Sequence, residues 1–183
     1  MNSDRIILGI DPGTTIMGYG LIGVETNRIR VITFGVLKLH KYGNQPLKLQ
    51  KIFDRVLSLI DEYHPDELAI EAPFYGKNVQ SMLKLGRAQG VAIAAALHRS
   101  VPVFEYSPRK IKQAITGNGG ASKEQVASML VSLTGIKEIP GQLDASDGLA
   151  AAVCHYFQKN PNKQSPSYNS WQQFIRSNPD RIK

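Results

Sequence analysis

The stretch "RIILGIDPGTTIMGYGLIG" (residues 5–23) contains a strand that ends in a carboxylate. Residues 5–10 are mostly apolar at consecutive positions, which predicts a strand covered on both faces. Asp11 follows at once, Pro12-Gly13 suits a type II turn, and residues 18–24 predict a second strand running back beside the first. Asp11 could form the turn by bonding its backbone, or it could carry chemistry at the strand end.

Beyond this stretch, strand patterns alternate with helical ones. The predicted strands cover 5–10, 18–24, 30–39, 68–70 and 101–107, and the predicted helices lie within 46–64, at about 78–98, from 108, from 122 and at about 143–157. This order predicts an α/β fold, with a mixed sheet and helices on both faces. We expect one domain over residues 1–159 and a polar tail over 160–183, in which Trp171, Phe174 and Ile175 form a one-face apolar cluster.

The composition favours a polyanionic partner. The 183 residues contain 22 Lys and Arg against 15 Asp and Glu, a net charge of +7 with a pI near 9.5, which points first to nucleic acid. The single cysteine, Cys154, excludes a disulfide within the chain and lies in an apolar run that predicts burial. No apolar run reaches the roughly 18 residues of a membrane span, and there is no signal-peptide pattern. We therefore expect a cytoplasmic protein that contacts no membrane.

Four carboxylates stand out by position. Asp11 and Glu71 each end an apolar strand, and Asp144 and Asp147 lie three residues apart on one face of the last helix. Simpler interpretations exist: Glu71 could form a salt bridge, and either Asp144 or Asp147 could cap the helix. A cap does not explain both aspartates.

Convergence of these acids would demand a cation. If the two strands are neighbours and the last helix crosses their carboxyl ends, the four side chains meet. Two carboxylates about 4 Å apart repel by about 4 kcal/mol at an effective dielectric constant near 20. Hard cations with oxygen ligands, Mg²⁺ or Mn²⁺, suit such a site, and a metal pair held by carboxylates supports phosphodiester cleavage. In a basic protein this pattern indicates a nuclease.

Three segments together resemble the RuvC family of Holliday junction resolvases. They are "ILGIDPGTTIMGYG", "AIEAPFYGKNVQSMLKLGRAQGVA" and "DASDGLAAA", in this order and at these separations. The resemblance covers about residues 5–157. The sequence departs from many members at Ala72, where they have Gln, and from some members at Asp144, where they have His, so that the third ligand varies in type.

The resemblance implies an RNase H-like fold and a metal-dependent endonuclease. Its catalytic acids and metal ligands would be Asp11, Glu71, Asp144 and Asp147, with Mg²⁺ as cofactor, Mn²⁺ as a substitute and two ions per active site. The protein would be a homodimer that nicks two strands of a four-way DNA junction symmetrically, in recombination and DNA repair. Its partner would be a branch-migration motor complex of the RuvA and RuvB type.

Further residues are candidates for DNA contact. Lys112 and Lys123 flank a glycine-rich loop and would bind phosphate, although a single lysine is more often a solvated surface residue. Phe74 and Tyr75 follow Glu71 in a segment bracketed by proline and glycine; they could be core residues, or they could stack on bases. Lys77 would lie beside them.

Parts of this sequence pattern also fit two other functions. An Asp-x-Gly-Thr turn also cradles phosphate in actin-like ATPases, but these need two such domains and give the last two aspartates no role. An architectural junction-binding protein would need no acid cluster.

The small residues of the helix at 78–98 would allow close packing of a second copy, which would match the approximate two-fold symmetry of a junction.

Overall fold

A five-stranded mixed sheet lies at the centre of the computed structural model, which describes residues 5–26, 28–73, 78–137 and 143–159. The strands are β1 (Arg5–Asp11), β2 (Ile16–Glu25), β3 (Arg28–Lys38), β4 (Glu67–Glu71) and β5 (Val103–Tyr106). Their spatial order is β3-β2-β1-β4-β5. The β2 strand is antiparallel to β1 and β3, whereas β1, β4 and β5 run parallel to one another.

The first four of the five described helices begin at side-chain caps that the sequence supplies. The helices are α1 (Gln45–Tyr63), α2 (Val79–His98), α3 (Pro108–Thr116), α4 (Lys123–Thr134) and α5 (Leu143–Lys159). The Ser107 side chain caps α3 and is followed by proline at the first helical position. Ser122 and Gln125 form the predicted capping box of α4. Gly117 and Gly135 end α3 and α4 with φ of 75° and 71°, which only glycine adopts freely.

Each face of the sheet carries its own hydrophobic core. Leu8 and Ile10 pack on the side of α1 and α2, whereas Ile7 packs on the side of α3, α4 and α5. Alternate residues of a strand point to opposite faces, so the consecutive apolar residues of β1 serve both cores. The predicted α/β fold with helices on both faces is confirmed. Cys154 is fully buried in the second core, as expected.

Glycines bring α5 unusually close to the sheet. A Cβ at Gly20 would lie 2.6 Å from the Cα of Leu149, and a Cβ at Gly18 would collide with the carbonyl oxygen of Asp144. Since Gly18 pairs with Asp11 across β2 and β1, this contact sets the first turn of α5 beside the end of β1. The local sequence pattern does not reveal the role of these glycines, because that role depends on which helix crosses the strand.

The predicted type II turn after β1 is wrong. That turn needs a positive φ at Gly13, and the glycines with positive φ in the described residues are Gly117 and Gly135. Gly13 is instead required for close approach, because a Cβ there would collide with the carbonyl oxygen of Ile16. The chain bends into β2 two residues earlier than predicted.

Several predictions fall on residues outside the described ranges. These are the contacts of Phe74, Tyr75 and Lys77, and the tail at 160–183 with its apolar cluster. The domain boundary at 159 therefore stays a prediction. Among the helices that the structure describes, none is long and apolar enough to cross a membrane.

Candidate active site

The sheet topology brings the first two acids to one edge. Asp11 ends β1 and Glu71 ends β4, and these strands are parallel neighbours with Ile10 paired to Ile70. Both carboxylates therefore leave the carboxyl edge of the sheet one position beyond paired residues. The four-acid hypothesis required these two strands to be neighbours, and the sheet meets that condition.

A cavity of about 220 Å³ forms where α3, α4 and α5 meet this edge. Asp11, Glu71 and Asp147 line it together with both predicted lysines, Lys112 and Lys123. The remaining wall is mostly apolar and comes from Pro108, Ile111, Val126 and Ala150. Three acids from three separate elements thus share one partly enclosed space with two lysine side chains.

Lys123 joins the two aspartates of α5. Its Nζ lies 3.2 Å from Asp144 Oδ1 and 2.6 Å from Asp147 Oδ2. Burial lowers the pKa of Lys123, but its bonds to Asp147 and Asp144 outweigh this effect and raise the pKa above the usual value. In this arrangement Asp144 is linked to the cavity through the lysine.

Burial and neighbouring carboxylates raise the pKa values of Asp11 and Glu71. Burial raises the pKa of Asp11 well above its usual value, and the charges of Glu71 and Asp147 raise it further. Burial also raises the pKa of Glu71 to about 7, with Asp147 adding to the effect and Lys123 and Lys112 opposing it. Such a donor set of hard carboxylate oxygens fits a divalent cation, which would relieve the repulsion.

The four acids do not form a ready-made chelate. Within ranges 5–26, 28–73, 78–137 and 143–159, no three His, Cys, Asp or Glu side chains are placed so that they could hold one ion together. The Lys123 ammonium is the cation found between Asp144 and Asp147. The metal-ligand role of the four carboxylates stays a prediction.

The simpler roles explain little of this geometry. The turn after Asp11 is fastened by other groups: Lys48 Nζ donates to the Thr14 carbonyl oxygen at 3.3 Å, and the backbone N–H groups of Leu39 and His40 donate to Thr15 at 2.8 and 3.0 Å. Asp147 lies inside α5, one turn beyond its start, and so does not cap it.

The raised pKa of Glu71 predicts that the stability of the metal-free protein depends on pH. Because the pKa of Glu71 rises from 4.5 to about 7 on folding, the folded state binds the proton more tightly, and its free energy of unfolding should fall as the pH rises through this window. Glu71→Gln should remove that loss, a gain of up to about 3 kcal/mol at pH values above the window. Urea unfolding in EDTA on both sides of the window measures it.

Glu62→Gln, a change at an exposed carboxylate of α1, is the control and should leave the pH profile unchanged. Wild-type protein whose stability stays flat between these pH values would show that Glu71 lies in an ordinary environment.

A larger open groove elsewhere lacks comparable chemistry. It has a volume of about 590 Å³ and lies along the outer side of α4. Its described lining contains one ionisable side chain, Glu124, among Thr, Asn, Gln, Ser, Ala and Met residues. The acid-lined cavity is therefore the better candidate for catalysis.

In this site two acids lie at neighbouring strand ends of a mixed sheet, a third lies on a crossing helix, and two lysines lie beside them. Such an arrangement is typical of nucleases that cleave phosphodiesters with carboxylate-bound cations. Comparison with known proteins agrees. The family model described as "Crossover junction endodeoxyribonuclease RuvC" matches residues 7–155. The protein of that name from Cytophaga hutchinsonii is 61% identical over 180 residues, covering 98% of this chain and 89% of its own length.

A second relative of the same name, from Christiangramia forsetii, is 60% identical over 183 residues, with 100% of this chain and 95% of the relative covered. Among solved structures, T. thermophilus RuvC in complex with Holliday junction substrate is 34% identical, with a TM-score of 0.78 over 84% of this chain and 94% of that one. The chain belongs to the RuvC family of crossover junction endodeoxyribonucleases.

This membership confirms the predicted RNase H-like fold and the predicted enzyme class. It also excludes the ATPase and the purely architectural protein.

Proposed function

We propose that this chain resolves four-way DNA junctions by paired symmetric nicks, acting in the cytoplasm in recombination and DNA repair. The observation that carries the proposal is the cavity in which Asp11, Glu71 and Asp147 meet Lys112 and Lys123. Its family supports the substrate, since the T. thermophilus relative was solved with a Holliday junction. The family also supports a partnership with a branch-migration motor complex of the RuvA and RuvB type.

Asp11, Glu71, Asp144 and Asp147 would hold the cofactor, which we propose to be Mg²⁺, replaceable by Mn²⁺, with two ions per active site. When bound, the ions would supply an activated water and stabilisation of the leaving oxygen. The protein contributes position: the strand ends fix Asp11 and Glu71, and the glycine contacts of α5 fix Asp147.

The lysines would hold the DNA backbone over these acids. Lys112 and Lys123 lie in the wall of the same cavity, so a phosphate bound by them would lie beside the carboxylates. Phe74, Tyr75 and Lys77 follow Glu71 within six residues of the chain, which supports a role in DNA contact, with the aromatic rings stacking on junction bases.

One face of α2 supports the proposed homodimer. Val79, Leu83 and Leu97 are 65%, 52% and 58% exposed. They lie on the same helical face as Gly86 and Gly90, where an added Cβ would meet nothing within 4 Å. An open stripe of small residues between exposed apolar ones allows a second helix to approach closely. A two-fold dimer through this face would present one site to each of two opposed strands.

Leu83→Glu should therefore dissociate the dimer, because it would place two like charges in an apolar interface. Sedimentation velocity should show a monomer, and paired nicking of a junction should be lost. Leu133→Glu, at a 38% exposed leucine of α4, is the matched control and should remain dimeric. Two variants that sediment alike as dimers would place the interface elsewhere.

The proposed activity is tested with an end-labelled four-way junction and a linear duplex of the same sequence, with and without Mg²⁺. We expect symmetric nicks in the junction and not in the duplex, and only when Mg²⁺ is present. Binding should be salt-sensitive, because Lys and Arg side chains that bind phosphates release counterions from the DNA. Equal affinity for junction and duplex at moderate salt would contradict junction selectivity and leave a general nuclease.

A further inference from the structure

Lys123 is a predicted DNA-binding residue that contacts two of the proposed metal ligands. It was predicted to bind DNA phosphate, yet its ammonium is engaged by Asp144 and Asp147 at 3.2 and 2.6 Å. Those are two of the carboxylates that the proposed function assigns to the cofactor. A divalent cation and this ammonium therefore require the same oxygens.

The surroundings of Lys123 allow its side chain to move while its backbone stays in place. Lys123 is the first residue of α4 and lies within the capping box, in which the Ser122 side chain accepts from Gln125 N–H and the Gln125 side chain accepts from Ser122 N–H. These bonds fix the helix start. The Lys123 side chain itself is 50% exposed, so it can leave the carboxylates for solvent without opening the core.

Lys112 gives an internal comparison. It lines the same cavity and lowers the pKa of Glu71 through its charge. The contacts to the two aspartates of α5, however, are made by Lys123. The two lysines therefore contribute similar charge to the cavity but differ in whether they occupy carboxylate oxygens.

We propose that Lys123 acts as an exchangeable cation: its ammonium occupies the oxygens of Asp144 and Asp147 until a divalent cation displaces it, and the released side chain then becomes free to bind a DNA phosphate. This inference rests on the proposed function. Binding of DNA phosphate by Lys123 then depends on prior binding of the metal. Before the metal binds, the Lys123 ammonium balances the negative charges of Asp144 and Asp147.

The test follows the ammonium directly, with full-length ¹⁵N-labelled protein, Mg²⁺ and no DNA. An ion-paired lysine gives a ¹⁵Nζ–¹H signal, and that of Lys123 is identified by its absence in Lys123→Met. We expect this signal to disappear in proportion to Mg²⁺ uptake measured by calorimetry. The signal of Lys48, whose Nζ bonds the Thr14 carbonyl oxygen, is the internal control and should stay unchanged.

Affinity gives the second measurement. Because Lys123→Met removes a competitor that makes two partly exposed ion pairs, it should bind Mg²⁺ about fivefold more tightly than wild type. Lys112→Met, which removes a nearby charge without freeing those oxygens, should change affinity less. Equal gains in the two variants would mean that the lysines act through charge alone, and would overturn the exchange.

The remaining outcomes separate this inference from the function on which it rests. Wild-type protein that takes up Mg²⁺ with the Lys123 signal intact would contradict the exchange while leaving the metal site in place. A folded wild-type protein that takes up no Mg²⁺ and cuts no junction would overturn the proposed function, and the exchange with it.

Discussion

Asp11→Asn is expected to abolish junction cleavage, with the rate falling by orders of magnitude, while leaving a folded protein that still binds junctions. The change keeps the shape of the side chain but removes a charge that would hold the cofactor. Asn forms the same turns as Asp, so a turn-forming residue would tolerate it. Single-turnover cleavage of a labelled junction in Mg²⁺ measures the effect.

The same variant should be at least as stable as wild type without metal. Burial and the charges of Glu71 and Asp147 disfavour the ionised form of Asp11, so removing its charge relieves a cost of folding. Thermal unfolding in EDTA should show an equal or higher midpoint. Junction binding should hold or improve without metal, because one negative charge facing the phosphates is gone.

Asp54→Asn is the matched control for this experiment. Asp54 is an exposed residue of α1 that pairs with Lys51 at 3.3 Å, and its replacement should alter neither cleavage nor unfolding. An Asp11→Asn protein that cuts at the wild-type rate would return Asp11 to a structural role in its turn, and the four-acid site would have to be abandoned.

Local patterns made the strand ends and helix caps predictable. The apolar run before Asp11 and the Ser122–Gln125 box each act over a few residues, so they could be read from the chain and are confirmed. The turn at Gly13 was misjudged because its glycine serves a contact with the Ile16 carbonyl oxygen rather than a positive φ. Both roles demand glycine, and sequence alone does not separate them.

The contacts within the site depended on tertiary packing. Gly18 and Gly148 decide how closely α5 approaches β2, a relation between residues 130 positions apart that no local period encodes. Lys123 was predicted to face DNA, but its ion pairs with the aspartates depend on where α4 lies against α5. Positions of single acids were thus predictable, whereas their partners were not.

Gly148→Ala is expected to have the second largest effect, since it tests the glycine contact that places the aspartates. A Cβ at Gly148 would lie 2.5 Å from the backbone nitrogen and Cα of Tyr19 and 2.7 Å from the Gly18 carbonyl carbon. These are backbone atoms of a central strand and cannot rotate away. The helix must therefore move off the sheet, and we expect a loss of about 1–3 kcal/mol in the free energy of unfolding.

The displacement should harm cleavage more than folding. Asp147 directly precedes Gly148, and Asp144 lies one turn earlier on the same helix, so both carboxylates move with it. A misplacement of about 1 Å at a catalytic centre costs about 100-fold in rate, which single-turnover cleavage at saturating protein would show. Circular dichroism and urea unfolding establish that the variant is folded under the assay conditions.

Gly43→Ala is the control, because a Cβ at Gly43 would meet nothing within 4 Å, and it should cut and unfold like wild type. If Gly148→Ala also behaved like wild type in both measurements, α5 would have room that the structure denies it, and close contact with β2 would not be what positions Asp144 and Asp147. Loss of stability with unchanged cleavage by the folded fraction would assign the contact to folding alone. The expected pattern is a folded variant with slow cleavage, because the same backbone contact both seats the helix and aims its carboxylates.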